Sequence, residues 1–224
     1  MRAGDPEVGA WGDEGFVAAW SAGDALGEVL ALPRRLSVAL VADAGLRVRR
    51  VVDLGAGAGT YLEEFLEAFP EARGTWVDSS LPMRARAEER LGRFGDRVRF
   101  VLADLRTAAD LPAEPTSVVV SSRALHHFEA RTIRAVYHAA HERLEPGGFL
   151  FNLDHFAAPG WEPAYRRIRD RLLPPRGDRP AHGHDAPPAT LAEHLRWLTD
   201  AGFEPPDVPW RLLVTALVAA RKPG

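Results

Sequence analysis

The sequence predicts an α/β fold, a doubly wound and mostly parallel sheet carried by a single domain. Three observations point there. Short apolar runs of strand length end beside polar residues, helical segments of 3.6-residue periodicity separate them, and alternate glycines follow the first run directly. The 224 residues suffice for one full α/β core, and the composition, 46% hydrophobic and 26% charged, is that of a globular chain.

The first 45 residues read as helices, because Phe16, Val17 and Trp20, then Val29, Leu30, Leu32, Leu36 and Leu40, fall near helical spacing. They are expected to pack on the sheet as core. Trp11, Phe16 and Trp20 are the residues that would cover a site if the extension reached over one. From Arg50 to Gly59 the run RVVDLGAGAG is a buried strand entering a tight turn. Thr60 and Glu63 then have the spacing of a capping box for a helix with Leu62, Phe65, Leu66 and Phe69 inward, stopped by Pro70.

The alternation continues with a strand at 74–77 ending at Asp78, a helix from about Pro82 to Leu91, a strand at 98–102 reaching Asp104, and a strand at 117–121. A helix over 130–144 turns through Pro146, Gly147 and Gly148 into a strand at 149–153. Proline and glycine interrupt this rhythm over 159–188, predicting a lid-like insertion with a short helix at 161–172. Thr190 and Glu193 cap another helix that Gly202 stops, and an apolar strand over 212–220 closes the chain. The expected organisation is a helical cap (1–45), a binding core (46–155), a lid or substrate segment (156–188) and a final helix and strands (189–224).

Composition removes several chemistries. Cysteine is absent, which excludes disulfides, thiolate metal sites and thiolate nucleophiles. Lys222 is the only lysine among the 28 basic residues, so a P-loop lysine and an internal Schiff-base lysine are excluded too. A net charge of -3 gives no global field for a phosphate backbone. No apolar stretch is long enough for a membrane span, and the opening residues lack the pattern of a secretory signal. The expectation is a cytoplasmic protein with neither nucleic acid nor membrane as partner.

Glycines at 55, 57 and 59 allow backbone to approach a ligand closely, and Asp78, at the end of the next strand, can accept hydrogen bonds from both hydroxyls of a ribose. Together they indicate an adenosine-containing cofactor. The spacing argues against NAD, since a dinucleotide fingerprint needs its third glycine where this chain has Thr60. Asp104, at the tip of the third strand, suits the exocyclic amine of adenine.

In this order the residues resemble the class I S-adenosylmethionine (SAM) dependent methyltransferases, in particular their small-molecule branch. The matching stretches are VVDLGAGAGT at 51–60, WVDSS at 76–80 followed by Met83, ADL at 103–105, ALHHF at 124–128 and RLEPGGFL at 143–150. The resemblance implies a Rossmann-like sheet with an antiparallel last strand. It implies that Gly55, Ala56 and Gly57 line the methionine half of SAM, with Asp53 beneath. Asp78 would hold the ribose, Ser79 and Met83 would flank the adenine, Asp104 would take its amine, Leu105 would contact the ring, and Ser121 would lie near the amino group. The chain departs from the family in opening its fourth strand with Thr116 and Ser117 instead of an acid.

Methyl transfer needs an aligned acceptor and, where the acceptor carries one, removal of a proton. His126, His127, Asp154 and His155 follow the fourth and fifth strands, where open α/β sheets bind ligands. By the resemblance His126 faces the methyl as base or anchor while His127 packs inward, and Asp154 and His155 orient or touch substrate. His182, Gly183, His184 and Asp185 have a metal-ligand look, but no further ligand is fixed by sequence. They are therefore read as a loop facing substrate or solvent, with no metal expected. Trp161 and Tyr165 are candidates for an aromatic acceptor pocket or for lid packing. The sequence thus points to a methyltransferase acting on oxygen or nitrogen of a small molecule. Non-methyl SAM chemistry and a silent cofactor-binding subunit are the rivals, and a homodimer is an open option.

Overall fold

The computed structural model describes residues 9–22, 27–107, 114–173 and 182–224. Two helices come first, α1 (Glu14–Ala22) and α2 (Gly27–Asp43). The core then alternates β1 (Arg50–Leu54), α3 (Thr60–Ala68), β2 (Arg73–Asp78), α4 (Leu81–Leu91), β3 (Val98–Leu102), β4 (Thr116–Ser122), α5 (Ala130–Arg143) and β5 (Leu144–His155). After α6 (Glu162–Leu172) and α7 (Leu191–Asp200), the chain ends in β6 (Asp207–Leu212) and β7 (Thr215–Arg221).

The seven strands form one sheet in the order β3-β2-β1-β4-β5-β7-β6. β1 to β5 run parallel, and the β6–β7 hairpin runs antiparallel at one edge. Strand order reverses between β1 and β4, so the chain leaves their carboxyl ends in opposite directions and opens a crevice there.

Alternation along each strand divides the core. Val52 and Leu54 of β1, Val119 of β4 and Ala216 and Val218 of β7 pack with Ile133, Val136 and Tyr137 of α5 and Trp197 and Leu198 of α7. Val51, Val118, Val120 and Leu217 point the other way, onto Leu30 and Val41 of α2, Leu62, Phe65 and Leu66 of α3, and Ala87 and Leu91 of α4. With a helical layer on each face, the sheet presents only the ends of its strands to a ligand.

Two local expectations are corrected. No capping box forms at Thr60: α3 is entered through Gly59 in the left-handed conformation (φ 79°), which puts Thr60 inside the helix. The Asp53 carboxylate accepts the Leu62 N–H instead, at 3.2 Å, and Glu63 turns outward to Arg90 and Arg93. At α7 the box is present, with Thr190 and Glu193 bonding reciprocally. The final apolar strand starts at Thr215 rather than Leu212, which instead ends its hairpin partner β6. Leu213, at φ 57°, carries the turn without a glycine or asparagine to announce it. The expected helix in the proline-rich insertion is α6, whereas Pro174, Pro175, Gly177 and Pro180 lie outside the described residues.

A Cβ at position 59 would sit 2.7 Å from Leu91 Cδ1, on a backbone that disfavours L side chains. Gly59→Ala is expected to destabilise the protein by about 2 kcal/mol. Calorimetry should register a fall in Tm of roughly 4–8 °C.

Candidate cofactor and acceptor site

A cavity of about 680 Å³ opens at the carboxyl ends of β1, β2 and β4. Its floor is the glycine turn. Gly55 N–H and Ala56 N–H both donate to Val77 O, at 2.8 and 3.0 Å, and Gly57 N–H donates to Asp78 Oδ2 at 2.8 Å. Trp76 Nε1–H returns a bond to Gly57 O at 2.8 Å, so the turn is strapped to the end of β2 from both sides. Asp78 Oδ1 also accepts the Ser80 N–H at 2.9 Å. Desolvation by the surrounding protein pushes the Asp78 pKa up, against the backbone N–H groups of Ser80, Gly57 and Ser79, which favour its carboxylate.

Behind this turn lies Asp53, only 1% exposed. Its Oδ2 caps α3, but Oδ1 has no hydrogen-bond partner. Burial pushes its pKa up to about 7; Asp78 adds to that and Arg34 opposes it. Arg34, on α2 and also buried, lines the same cavity. α2 is pinned to α3 there, because Ser37 Oγ donates to Arg34 O at 2.6 Å and accepts from Tyr61 Oη at 2.8 Å. Sequence reading missed Arg34, although a signal existed. Leu30, Arg34, Ser37 and Val41 repeat at four-three-four spacing on the buried face of α2, where an arginine needs a reason.

Of the residues expected to hold the cofactor, Asp53, Gly55, Ala56, Gly57, Asp78, Ser79, Met83 and Leu105 line the cavity. Asp104 and Ser121 do not. Asp104 Oδ1 accepts the Arg106 N–H, and its Oδ2 accepts Arg106 Nη1–H, both at 2.9 Å. Ser121 faces into the sheet and donates to Leu54 O at 2.8 Å; strand alternation gives its place on the cavity wall to Ser122.

At the other end, the 3₁₀ turn Leu125–His127 follows β4. The expected orientations of its two histidines are exchanged. His126 is 7% exposed and turned toward β5, where Asp154 Oδ2 accepts its backbone N–H at 3.0 Å and Asp154 Oδ1 meets its ring Nδ1 at 2.6 Å. It is His127 that lines the cavity. Burial, with His126, His182 and His184 close by, pushes the His127 pKa down to about 3, so its ring is neutral. Asp154 is fully buried, which alone would raise its pKa, but the facing His126 ring and the His155 N–H hold it below the usual carboxylate range. The His155 ring is engaged with Thr215 Oγ1 at 2.9 Å.

Two segments roof the cavity. Trp11 and Trp20 line it, partly buried against the α2–α4 side of the core, and Ser80 Oγ–H holds Trp11 O at 2.6 Å. Residues 182–185 close it opposite: Asp185 accepts two bonds from Arg106, at 2.8 and 3.0 Å, and donates its N–H to His127 O at 2.8 Å. Trp161 and Tyr165 stack on each other at the start of α6 and do not line the cavity, Trp161 being 61% exposed.

A family model for the methyltransferase domain matches residues 51–148. The chain is 34% identical over 160 residues to a trans-aconitate 2-methyltransferase of Streptomyces avermitilis, covering 68% of this chain and 56% of that one. A putative O-methyltransferase of Nostoc punctiforme superposes with a TM-score of 0.67 at 20% identity, over 95% of this chain and 60% of that one. Human N-acetylserotonin methyltransferase in complex with SAM superposes at 0.65 with 18% identity, over 95% and 57%. The chain carries a methyltransferase domain of the class I fold. It spans about half the length of the curated relatives it matches.

In a methyltransferase of this class the cavity fits the cofactor group by group. The unpartnered Asp53 Oδ1 and the Arg34 guanidinium would answer the ammonium and carboxylate of an amino acid, and Asp78 would answer a ribose. Among the described residues no helix is long and apolar enough to cross a membrane.

A cationic ammonium beside Asp53 favours its carboxylate, so the proton held by Asp53 below about pH 7 is released on binding. SAM affinity should therefore rise from about pH 5 to about pH 7 and level off above, with proton release measurable by calorimetry in buffers of different ionisation enthalpy. Asp53→Asn should flatten that rise. Arg106→Ala removes both guanidinium bonds to Asp185, and hydrogen exchange at residues 182–186 should quicken at least tenfold.

Proposed function

We propose that the protein methylates an oxygen of a small-molecule acceptor, with His126 as general base and Asp154 as the group that orients it. The observation carrying this reading is the buried His126–Asp154 pair, 2.6 Å between Nδ1 and Oδ1, with the His126 ring 4.2 Å from that of His127, which lines the cavity. When bound, SAM supplies a sulfonium methyl group as the electrophile.

The residues of this chain then have separate tasks. Asp154 accepts from Nδ1–H, fixes that tautomer and leaves Nε2 to take the acceptor proton. The positive charge that forms on His126 lies against a carboxylate that stays ionised, so the transfer needs no second proton movement. His127, neutral and half-buried, forms the wall across which the acceptor lies. His184 is 5.2 Å from His126, ring to ring, on the segment that roofs the cavity, so displacement of that segment admits the acceptor. The aromatic edges of Trp11 and Trp20 favour an acceptor with apolar surface. Oxygen as the methylated atom agrees with a relative and a structural neighbour named for O-methyl transfer.

His126→Gln should lower kcat by ~10² to 10⁴ with SAM affinity nearly unchanged, and Asp154→Asn should lower it by at least about tenfold. His127→Ala should act chiefly on the acceptor KM. Near-normal turnover of His126→Gln from about pH 6 to about pH 9 would establish that transfer proceeds by alignment alone.

A further inference from the structure

We propose that His126, His127, His182 and His184 form a site for one divalent transition-metal ion of the zinc class. Each offers a ring nitrogen, and the four nitrogens lie within 4.8 Å of one another. Sequence reading set His182 and His184 aside because no further ligand was in view. The fold supplies the other two from a turn more than fifty residues upstream. Tetrahedral zinc, with bonds of about 2.0–2.1 Å to imidazole, holds its ligand atoms about 3.3 Å apart. The four nitrogens reach that spacing by side-chain rotation and small shifts of the 182–184 segment.

The surroundings are those of a built site. His126 directs Nδ1 at Asp154, which is fully buried, leaving Nε2 as its ligand atom; a carboxylate behind a metal-binding imidazole sets ring orientation and raises basicity. The outer pair of ligands is held in place by contacts of its own. Asp185, next to His184, is gripped by Arg106 through two bonds and by the His127 carbonyl through its N–H. His182 lies edge-on to Trp11 and Trp20, at 5.3 and 4.7 Å between ring centroids, so indole walls shelter it on one side. The donor set selects the metal: imidazole nitrogens without thiolate favour zinc, cobalt, nickel or copper over magnesium or calcium.

An ion at this site would tie 182–184 down over the cavity and occupy the Nε2 lone pair that takes the acceptor proton. Metal binding is therefore antagonistic to methyl transfer. That consequence rests on His126 being the base, whereas the site itself does not.

The test uses untagged full-length protein stripped with a chelator and titrated with cobalt(II). One equivalent should bind at micromolar concentration or tighter, giving the intense visible absorption of tetrahedral cobalt, and zinc should displace it. His182→Ala/His184→Ala should lower affinity at least about a hundredfold with an unchanged circular dichroism spectrum, and Asp154→Asn by about tenfold to a hundredfold. Zinc should inhibit methyl transfer in the wild type and not in the double variant. Weak pale octahedral cobalt binding, or equal affinity in the double variant, would overturn the site. Tight tetrahedral binding without inhibition would leave the site standing and overturn the antagonism, and through it the base assignment.

Discussion

The two rims of the crevice touch at one point, and the geometry of the site depends on that contact. A Cβ on Gly55 would fall 2.3 Å from the Cβ of Ala124, so the turn after β1 and the turn after β4 approach as closely as a glycine allows. Gly55 begins the wall that faces the cofactor. Ala124 immediately precedes the 3₁₀ turn that carries His126 and His127. The contact therefore holds the glycine turn and the histidine turn in register with each other, which an in-line displacement between groups bound on the two sides would require. The parallel sheet makes this possible, because only at its switch point do two neighbouring strands leave their turns in opposite directions.

Three buried or half-buried carboxylates surround that point, and each is held differently. Asp53 has a helix N-terminus for one oxygen and nothing for the other, and burial raises its pKa to about 7. Asp78 is occupied by backbone donors of the glycine turn and of α4, so it shapes the floor as well as offering itself to a ribose. Asp154 faces an imidazole and two backbone N–H groups and stays ionised. A cation is thus called for at Asp53, where the protein leaves a carboxylate half-satisfied. No such call exists at Asp154, whose needs are met within the chain.

The cavity is roofed by segments outside the sheet. The amino-terminal helices contribute Trp11, Trp20 and Arg34, and they are attached by Ser80 to Trp11, Ser37 to Tyr61, and the Arg86–Glu14 ion pair at 2.9 Å. Residues 182–185 are attached chiefly through Arg106 and one backbone bond to His127. The second attachment is the weaker, being exposed and ionic, so this side of the roof opens with less loss of buried contact.

Periodicity by itself determined the elements. Strand and helix patterns depend on which residues lie on one face, and that is written locally, as are the glycine turn, Asp78 and the Thr190–Glu193 box. The sequence also named many residues that line the cavity, because their motifs are contiguous and tied to strand ends. What it did not determine was orientation at single positions. The exchange of His126 with His127, and of Ser121 with Ser122, turns on one step of the backbone, and which neighbour points at β5 is set by where Asp154 lies across the sheet. Asp104 pairs with Arg106, two residues on, a local contact that the strand-end motif does not record. Only the tertiary structure brought Arg34 to Asp53 and His182 and His184 to His126 and His127. Those groups are far apart in the chain, and nothing local records a distance that the folded sheet alone fixes.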